Sequence, residues 1–329
     1  MSVPALSVLM PAYNAAATLE AAVASILTQS FGDFELLVVN DGSSDDTGAL
    51  LDELARRDGR IRVIHQHNQG VVRSLNTLLE QARAPLLARM DADDQCDSER
   101  FAKQIAYLQA HPQTGMVATG VLEIAPNGLP FRSVCHPDDP ALLASMLAAG
   151  RNPVAHGSVM LRRSVLAQLE EPRYRLAAAS EDRDLWARLA AISAVGMLCE
   201  PLYLLRRGGG SVSFRAAQVR ERYLGEVGET EEQIQRIEAD LSAAITDADP
   251  TAGAQGYDLY LNGKAFYAHG RYGEARACFS ALLGDPRWRK RGAAFLALAW
   301  LGPLGRGALR GYQRLFSAKA RLGCPGLGY

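Results

Sequence analysis

Three short polar clusters carry the side chains best suited to chemistry: Pro11-Ala12-Tyr13-Asn14, Asn40-Asp41-Gly42-Ser43 and Asp91-Ala92-Asp93-Asp94. The aspartates at 91, 93 and 94 repel one another unless a cation neutralises them. A hard divalent ion such as Mn2+ or Mg2+ accepts one or two carboxylates and fills its remaining positions with phosphate oxygens. On a diphosphate, such an ion stabilises the negative charge that builds up as the diphosphate departs. Carboxylates of this cluster would be its ligands. The plainer alternative is a solvated turn in which Asp93 or Asp94 caps the following helix.

Asp41 offers a carboxylate that could accept hydrogen bonds from a uracil N–H or from ribose hydroxyls. Tyr13 could stack on a base. Arg73 and Arg89 could approach phosphates, or could serve as ordinary surface or ion-pair residues. Asp41-Gly42 also reads as a plain turn, and Tyr13 as a packed rim aromatic.

The elements that must position these residues alternate between strand and helix. Leu6 to Met10 reads as a buried strand, followed by Leu19, Val23, Ile26 and Leu27 at helical spacing. Phe34 to Val39 is a second apolar run ending at Asn40-Asp41-Gly42. Ile61 to Ile64 is a third strand and Gly70 to Ala82 a helix. Leu86 to Met90 is a fourth strand running straight into Asp91. Met116 to Ile124, Gly157 to Leu161 and Val195 to Leu205 read as further strands, and Leu185, Leu189 and Ile192 mark a helix. Such alternation predicts an α/β fold, a mostly parallel mixed sheet with helices on both faces. Ligands of such sheets collect beyond the carboxyl ends of the strands, where all three clusters fall.

The runs Val8 to Asn14, Glu35 to Asp46 and Ala88 to Asp94 resemble family 2 glycosyltransferases of the GT-A fold, in particular bacterial members that build surface polysaccharides. The resemblance covers roughly residues 5 to 215. It implies a Rossmann-like catalytic domain and transfer of a sugar from a nucleotide-diphosphate donor, with UDP favoured, to a saccharide or lipid-linked saccharide hydroxyl. Pro11, Tyr13 and Asp41 match positions that hold the nucleoside, and Ala12, Asn14, Arg73 and Ala92 join them in the expected donor site. Asp91 and Asp93 fall in the family's Asp-x-Asp, whose last aspartate ligates the metal. Ser180-Glu181-Asp182, followed by Leu185-Trp186, resembles a Glu-Asp motif in which the aspartate, here Asp182, is the catalytic base.

Asp182 lies one turn before Trp186, which places it on the inward side of a helix. A carboxylate at a cleft edge can take the proton of an acceptor hydroxyl as that oxygen attacks the anomeric carbon. Attack opposite the leaving diphosphate inverts the configuration with one base and no covalent intermediate. A cap on the first helical turn is the competing role for Asp182. His156 lies near the acceptor side by analogy and reads equally as a structural histidine. The chain departs from the family at Arg183, where many relatives have an aromatic. It departs again in the glycine-rich loop Arg206 to Ser213, which lacks the usual histidine; Arg206 or Arg207 could neutralise the diphosphate there. A sugar-nucleotide nucleotidyltransferase is the alternative enzyme, but no glycine-rich, basic N-terminal loop is present to grip a triphosphate. A non-catalytic scaffold acting through its helical tail is the alternative outside enzymes.

The expected division is a catalytic domain over residues 1–225 and a helical extension over 226–329. An acidic helical stretch from Glu229 to Ile245 leads to a linker at Asp249 to Gly253. Gly263, Phe266, Gly270, Tyr272, Ala275, Phe279 and Pro286 follow at the spacing of one tetratricopeptide-like helix pair. From Pro286 onward the chain carries nine basic residues and no acidic one, although its net charge is -1. That polarity argues against broad nucleic-acid binding. It suits a basic tail, with apolar Phe295 to Leu304, resting on the cytoplasmic face of the inner membrane. An ordinary helix packed on the catalytic domain is the other reading. Five scattered cysteines suggest a reducing compartment and a cytoplasmic protein.

Overall fold

The computed structural model describes residues 3–175, 181–208 and 254–305. The chain divides into two compact units, one formed by residues 1–123 with 132–206, the other by 124–131 with 207–329. The expected boundary at 225/226, the acidic helix and the linker lie outside the described residues, as does the glycine-rich loop beyond Gly208.

The first unit is built on β1 (Leu6–Ala12), β2 (Phe34–Asp41), β3 (Ile61–Gln66) and β4 (Leu86–Arg89). All eight residues of β2 are buried, as a strand covered on both faces requires. These four strands run parallel in the order β3-β2-β1-β4, and Ala12 lies opposite Asn40 while Leu9 lies opposite Arg89. The register brings the carboxyl ends of β1, β2 and β4 to one rim, carrying the three polar clusters with them.

The remaining strands are β5 (Gln95–Cys96), β6 (Thr114–Ile124), β7 (Pro130–Val134), β8 (Met160–Arg162) and β9 (Ala194–Arg206). Here the sheet turns antiparallel: β8 pairs with β4 and β6, and β5 with β9. The sheet is therefore mixed. The expected strand over Gly157 to Leu161 is a 3-10 turn, His156–Ser158, followed by β8. Tyr203 explains the turn's glycine, because a Cβ on Gly157 would come within 1.7 Å of the Tyr203 hydroxyl.

Alternate residues of each strand feed opposite faces. Val8, Met10, Leu36 and Val38 meet α1 (Leu19–Leu27), α2 (Thr47–Arg57) and α4 (Arg100–Ala110). Leu9, Leu37 and Val39 meet α3 (Val71–Gln81), α5 (Pro140–Ala148) and α7 (Glu181–Ala190). A short helix, α6 (Arg163–Leu166), follows β8. Leu36 and Leu37 are both fully buried, one on each face, and each contributes roughly 2 kcal/mol of hydrophobic stabilisation. Neither β7 nor α5 was expected from the sequence. Asp139 caps α5 by accepting from the Ala141 and Leu142 amides, with Pro140 in the first turn.

Cys135 and Cys199 form a disulfide, with Cα atoms 5.5 Å apart. This pair removes the support that the scattered cysteines lent to a reducing compartment. No helix among the described residues is long and apolar enough to cross a membrane.

In the second unit, α8 (Ala254–Ala268), α9 (Tyr272–Ala281) and α10 (Arg289–Trp300) pack around Phe279, Ala275 and Trp288. Gly263 lets α8 approach the Phe279 ring, where a Cβ would stand 2.5 Å from a ring carbon. The segment 124–131 packs here too, through Ala125 against Leu261 and Ala265, and Lys264 over the Phe131 ring. Arg289, Lys290 and Arg291 are exposed at the start of α10, and Trp300, Leu301 and Leu304 are exposed at its end.

Candidate active site

Hydrogen bonds lace the three clusters together. Asn14, in a left-handed conformation (φ 48°), accepts at Oδ1 from the Ser44 amide at 2.8 Å, and its own amide donates to Ser43 Oγ at 3.0 Å. Thr47 Oγ1 and Asp45 Oδ2 receive the Ala15 and Ala16 amides. Thr18 Oγ1 donates to the Ala92 carbonyl at 3.0 Å, tying the first cluster to the third. Pro11 is half-buried and Ala12 and Ala92 are buried, whereas Tyr13 is 53% exposed and presents its ring to solvent.

Asp41 is buried at the end of β2 and already holds a loop of the protein. Its Oδ1 accepts from Gln66 Nε2 (2.6 Å) and the Gln69 amide (2.9 Å), and its Oδ2 from the Gly70 amide (2.8 Å). A carboxylate has about four acceptor sites, so three protein donors leave capacity for one more. Gly42 makes this corner feasible: its φ is +69°, and a Cβ would lie 2.6 Å from the Asn68 nitrogen. Arg73 is exposed on the first turn of α3 and donates to Gln69 Oε1 at 3.3 Å, on the loop that Asp41 clamps.

Asp91, Asp93 and Asp94 offer carboxylate oxygens that all lie within 4.8 Å of one another. Asp94 is buried and accepts from the Tyr203 hydroxyl and the Arg206 amide, each at 2.6 Å. Burial, then the charges of Asp93 and Asp91, hold its carboxyl well above the usual range. Asp93 reaches solvent as a residue, yet the protein crowding its carboxyl and the Asp91 charge push it up to about 6. Asp91 pairs with Arg89 and also contacts the Tyr203 hydroxyl at 3.3 Å. Arg89 is therefore the buried counter-charge of the cluster and does not lie open to phosphates. Arg206 adds its guanidinium on the Asp93 carbonyl at 3.0 Å. Three carboxyls crowded this closely, with Asp93 and Asp94 pushed up by burial and by their neighbours' charges, fit a hard divalent cation that would relieve the repulsion. Tyr203 was missed in the sequence; its signal is a phenol in an otherwise apolar strand, where a buried hydroxyl needs a partner.

Asp182 stands on the first turn of α7. Its Oδ2 accepts from Asn152 Nδ2 at 2.8 Å and its Oδ1 from the Arg183 amide at 2.7 Å. Trp186 is fully buried one turn on, edge-to-face with His156 at 5.7 Å. His156 Nε2 lies 3.1 Å from the Tyr174 hydroxyl and Nδ1 lies 3.8 Å from Glu181. Burial, reinforced by the Arg89 charge, keeps the His156 imidazole well below its usual range and hence neutral. The same burial raises Glu181, helped by Asp182 next to it. Asn152, like Tyr203, was not anticipated, being an exposed loop residue with no neighbouring motif.

Residues 7–169 match the sequence profile of glycosyl transferase family 2. The chain is 32% identical to the putative glycosyltransferase EpsE of Bacillus subtilis (strain 168) over 217 residues, 65% of this chain and 77% of that protein. It belongs to glycosyl transferase family 2. Similarity extends to the amylovoran biosynthesis glycosyltransferase AmsE of Erwinia amylovora, 30% identical over 64% of this chain and 79% of the relative. The mannosyltransferase PcManGT of Pyrobaculum calidifontis, solved with GDP-Man and Mn2+, shares the fold with a TM-score of 0.51 at 17% identity. That likeness covers 92% of this chain and 87% of the other. The protein is thus a glycosyltransferase with the GT-A architecture. The family match contains all three clusters and Asn152 but ends before Asp182.

Proposed function

We propose that the protein is a metal-dependent, inverting glycosyltransferase. It moves a sugar from a nucleotide-diphosphate donor, UDP-sugar by preference, to a hydroxyl of a saccharide or lipid-linked saccharide during polysaccharide, O-antigen or capsule biosynthesis. The observation that carries this reading is the carboxylate cluster at the end of β4, laced to the β1 and β2 loops of the same rim. The relative's name, which assigns AmsE to amylovoran biosynthesis, supports the polysaccharide setting.

Tyr13 and the spare acceptor capacity of Asp41 take the nucleoside, and Arg73 the phosphates. Asp93, with Asp91, would hold Mn2+ or Mg2+, which when bound stabilises charge on the departing diphosphate. Asp182 accepts the proton of the acceptor hydroxyl. The freed oxygen bonds to the anomeric carbon as the carbon–oxygen bond to the diphosphate breaks, and the nucleotide leaves with both electrons. With base and leaving group on opposite sides of the sugar, the product would be inverted. On this reading the protein works in the cytoplasm with its basic tail against the inner membrane, a placement that rests on the tail's charge and not on the cysteines.

The test is a panel of nucleotide sugars with Mn2+, read by thermal stabilisation and by nucleotide release. Asp93→Asn is expected to remove the Mn2+-dependent part of the stabilisation. Asp182→Asn is expected to lower turnover at least 1,000-fold, on the order of 4 kcal/mol, while nucleotide affinity stays unchanged. Wild-type turnover in Asp182→Asn would refute the base, and a product that keeps the donor's anomeric configuration would refute inversion.

A further inference from the structure

We infer that Asn152 is the positioning residue of the catalytic base, fixing the Asp182 carboxylate by a directed hydrogen bond. The inference rests on the reading of Asp182 as that base. Asn152 sits in the loop between α5 and the 3-10 turn, 30 residues from Asp182, and its Nδ2 donates to Asp182 Oδ2 at 2.8 Å. The other end of the same amide accepts from the Val154 backbone N–H at 3.2 Å. A backbone N–H can only donate and a carboxylate can only accept, so the two partners together dictate which end of the amide faces which. The loop is pinned to α7 a second time, where Arg183 Nη1 donates to the Gly150 carbonyl at 3.2 Å.

The consequence is orientational. The Arg183 amide holds Asp182 Oδ1 from the helix side, and Asn152 holds Oδ2 from the loop side. A carboxylate gripped at both oxygens cannot rotate about its last side-chain bond, which keeps the proton-accepting lone pair in a fixed direction during attack. Misplacement of a reacting group by about 1 Å can lower a rate 100-fold. Asn152 itself exchanges no proton.

Two substitutions separate positioning from simple packing. Asn152→Ala removes the donor, while Asn152→Asp keeps the shape and turns the donor into an acceptor facing another carboxylate. Turnover is measured on the full chain as UDP released from UDP-glucose, UDP-galactose and UDP-N-acetylglucosamine with Mn2+. We expect kcat to fall about 10-fold in Asn152→Ala and about 100-fold in Asn152→Asp, with donor KM and UDP affinity within twofold of wild type. A packing role predicts the reverse order, with the isosteric variant milder, and would overturn the inference. So would an unchanged kcat in both. A second reading needs no turnover: the unfolding midpoints of Asn152→Ala, Asp182→Asn and the double variant are expected to be non-additive, and additivity overturns the contact. If Asp182→Asn turns over normally, the base assignment fails. If it is inactive while both Asn152 variants are fully active, the positioning inference alone fails.

Discussion

The Tyr203 hydroxyl donates to Asp94 Oδ2 across 2.6 Å, joining the last long strand to the acidic cluster 109 residues earlier. Both side chains are buried, so neither can exchange this partner for water. Tyr203→Phe leaves a buried acceptor short of a donor, and the expected loss of stability is about 1–3 kcal/mol in urea titration. The cluster's geometry loosens with it, so Mn2+-dependent stabilisation by UDP is expected to shrink in the same variant. Full retention of both would show that Asp94 is held by Arg206 alone.

Asp41→Asn tests the clamp at the end of β2. The carboxylate accepts from Gln66 Nε2 and from the Gln69 and Gly70 amides, and one end of an asparagine amide would have to confront a donor. The expected outcome is a destabilisation of about 1–3 kcal/mol. The loop bearing Gln69, on which Arg73 rests, is freed at the same time, so donor KM is expected to rise several-fold with a smaller change in kcat. A variant with unchanged KM would separate this loop from donor binding.

Glu35 governs an acid transition remote from the site. Burial alone would raise its carboxyl, but Arg83 and Ser7 donate to it strongly enough to bring it below its usual 4.5. A lowered folded-state value means that the unfolded chain binds the proton more readily. Glu35 therefore contributes its stabilisation above the ordinary carboxylate range and loses it as pH falls through the lowered value. Glu35→Gln is expected to unfold more easily than wild type at pH 7, with the difference shrinking as pH falls through the lowered Glu35 value. A constant difference across that range would contradict the assignment.

The end of α10 offers a direct test of the membrane reading. Trp300, Leu301 and Leu304 are 71%, 54% and 80% exposed, and Arg276 stacks on the Trp300 ring at 4.5 Å. Co-sedimentation with vesicles containing phosphatidylglycerol is expected to be salt-sensitive and to fall several-fold in Trp300→Glu with Leu304→Glu. Equal binding to purely zwitterionic vesicles would remove the electrostatic part of the proposal.

Much of the fold was legible because burial leaves a local imprint. The run Phe34 to Val39 announces a strand covered on both faces, and Leu86 to Met90 announces the one that delivers Asp91. The meeting of the three clusters on one rim follows from parallel pairing, which the alternation of strand and helix already implies. What stayed hidden depends on partners far along the chain. Asn152 and Asp182, Tyr203 and Asp94, and Cys135 and Cys199 each join segments whose local patterns are silent about one another. Arg89 illustrates the same limit: its charge suggests a phosphate contact, but the strand buries it beside Asp91. The second half of the sheet, with β7 and α5, lacked the regular alternation that makes the first four strands readable.

The switch of pairing direction between β4 and β8 has an evolutionary consequence. On the proposed reading, residues before position 95 handle the nucleotide, whereas Asp182, on a segment beyond β4, handles the incoming hydroxyl and Asn152 orients the Asp182 carboxylate. β4 is the seam between these two halves. On that reading, acceptor preference can vary in the segments beyond β4 while the donor site before it is kept.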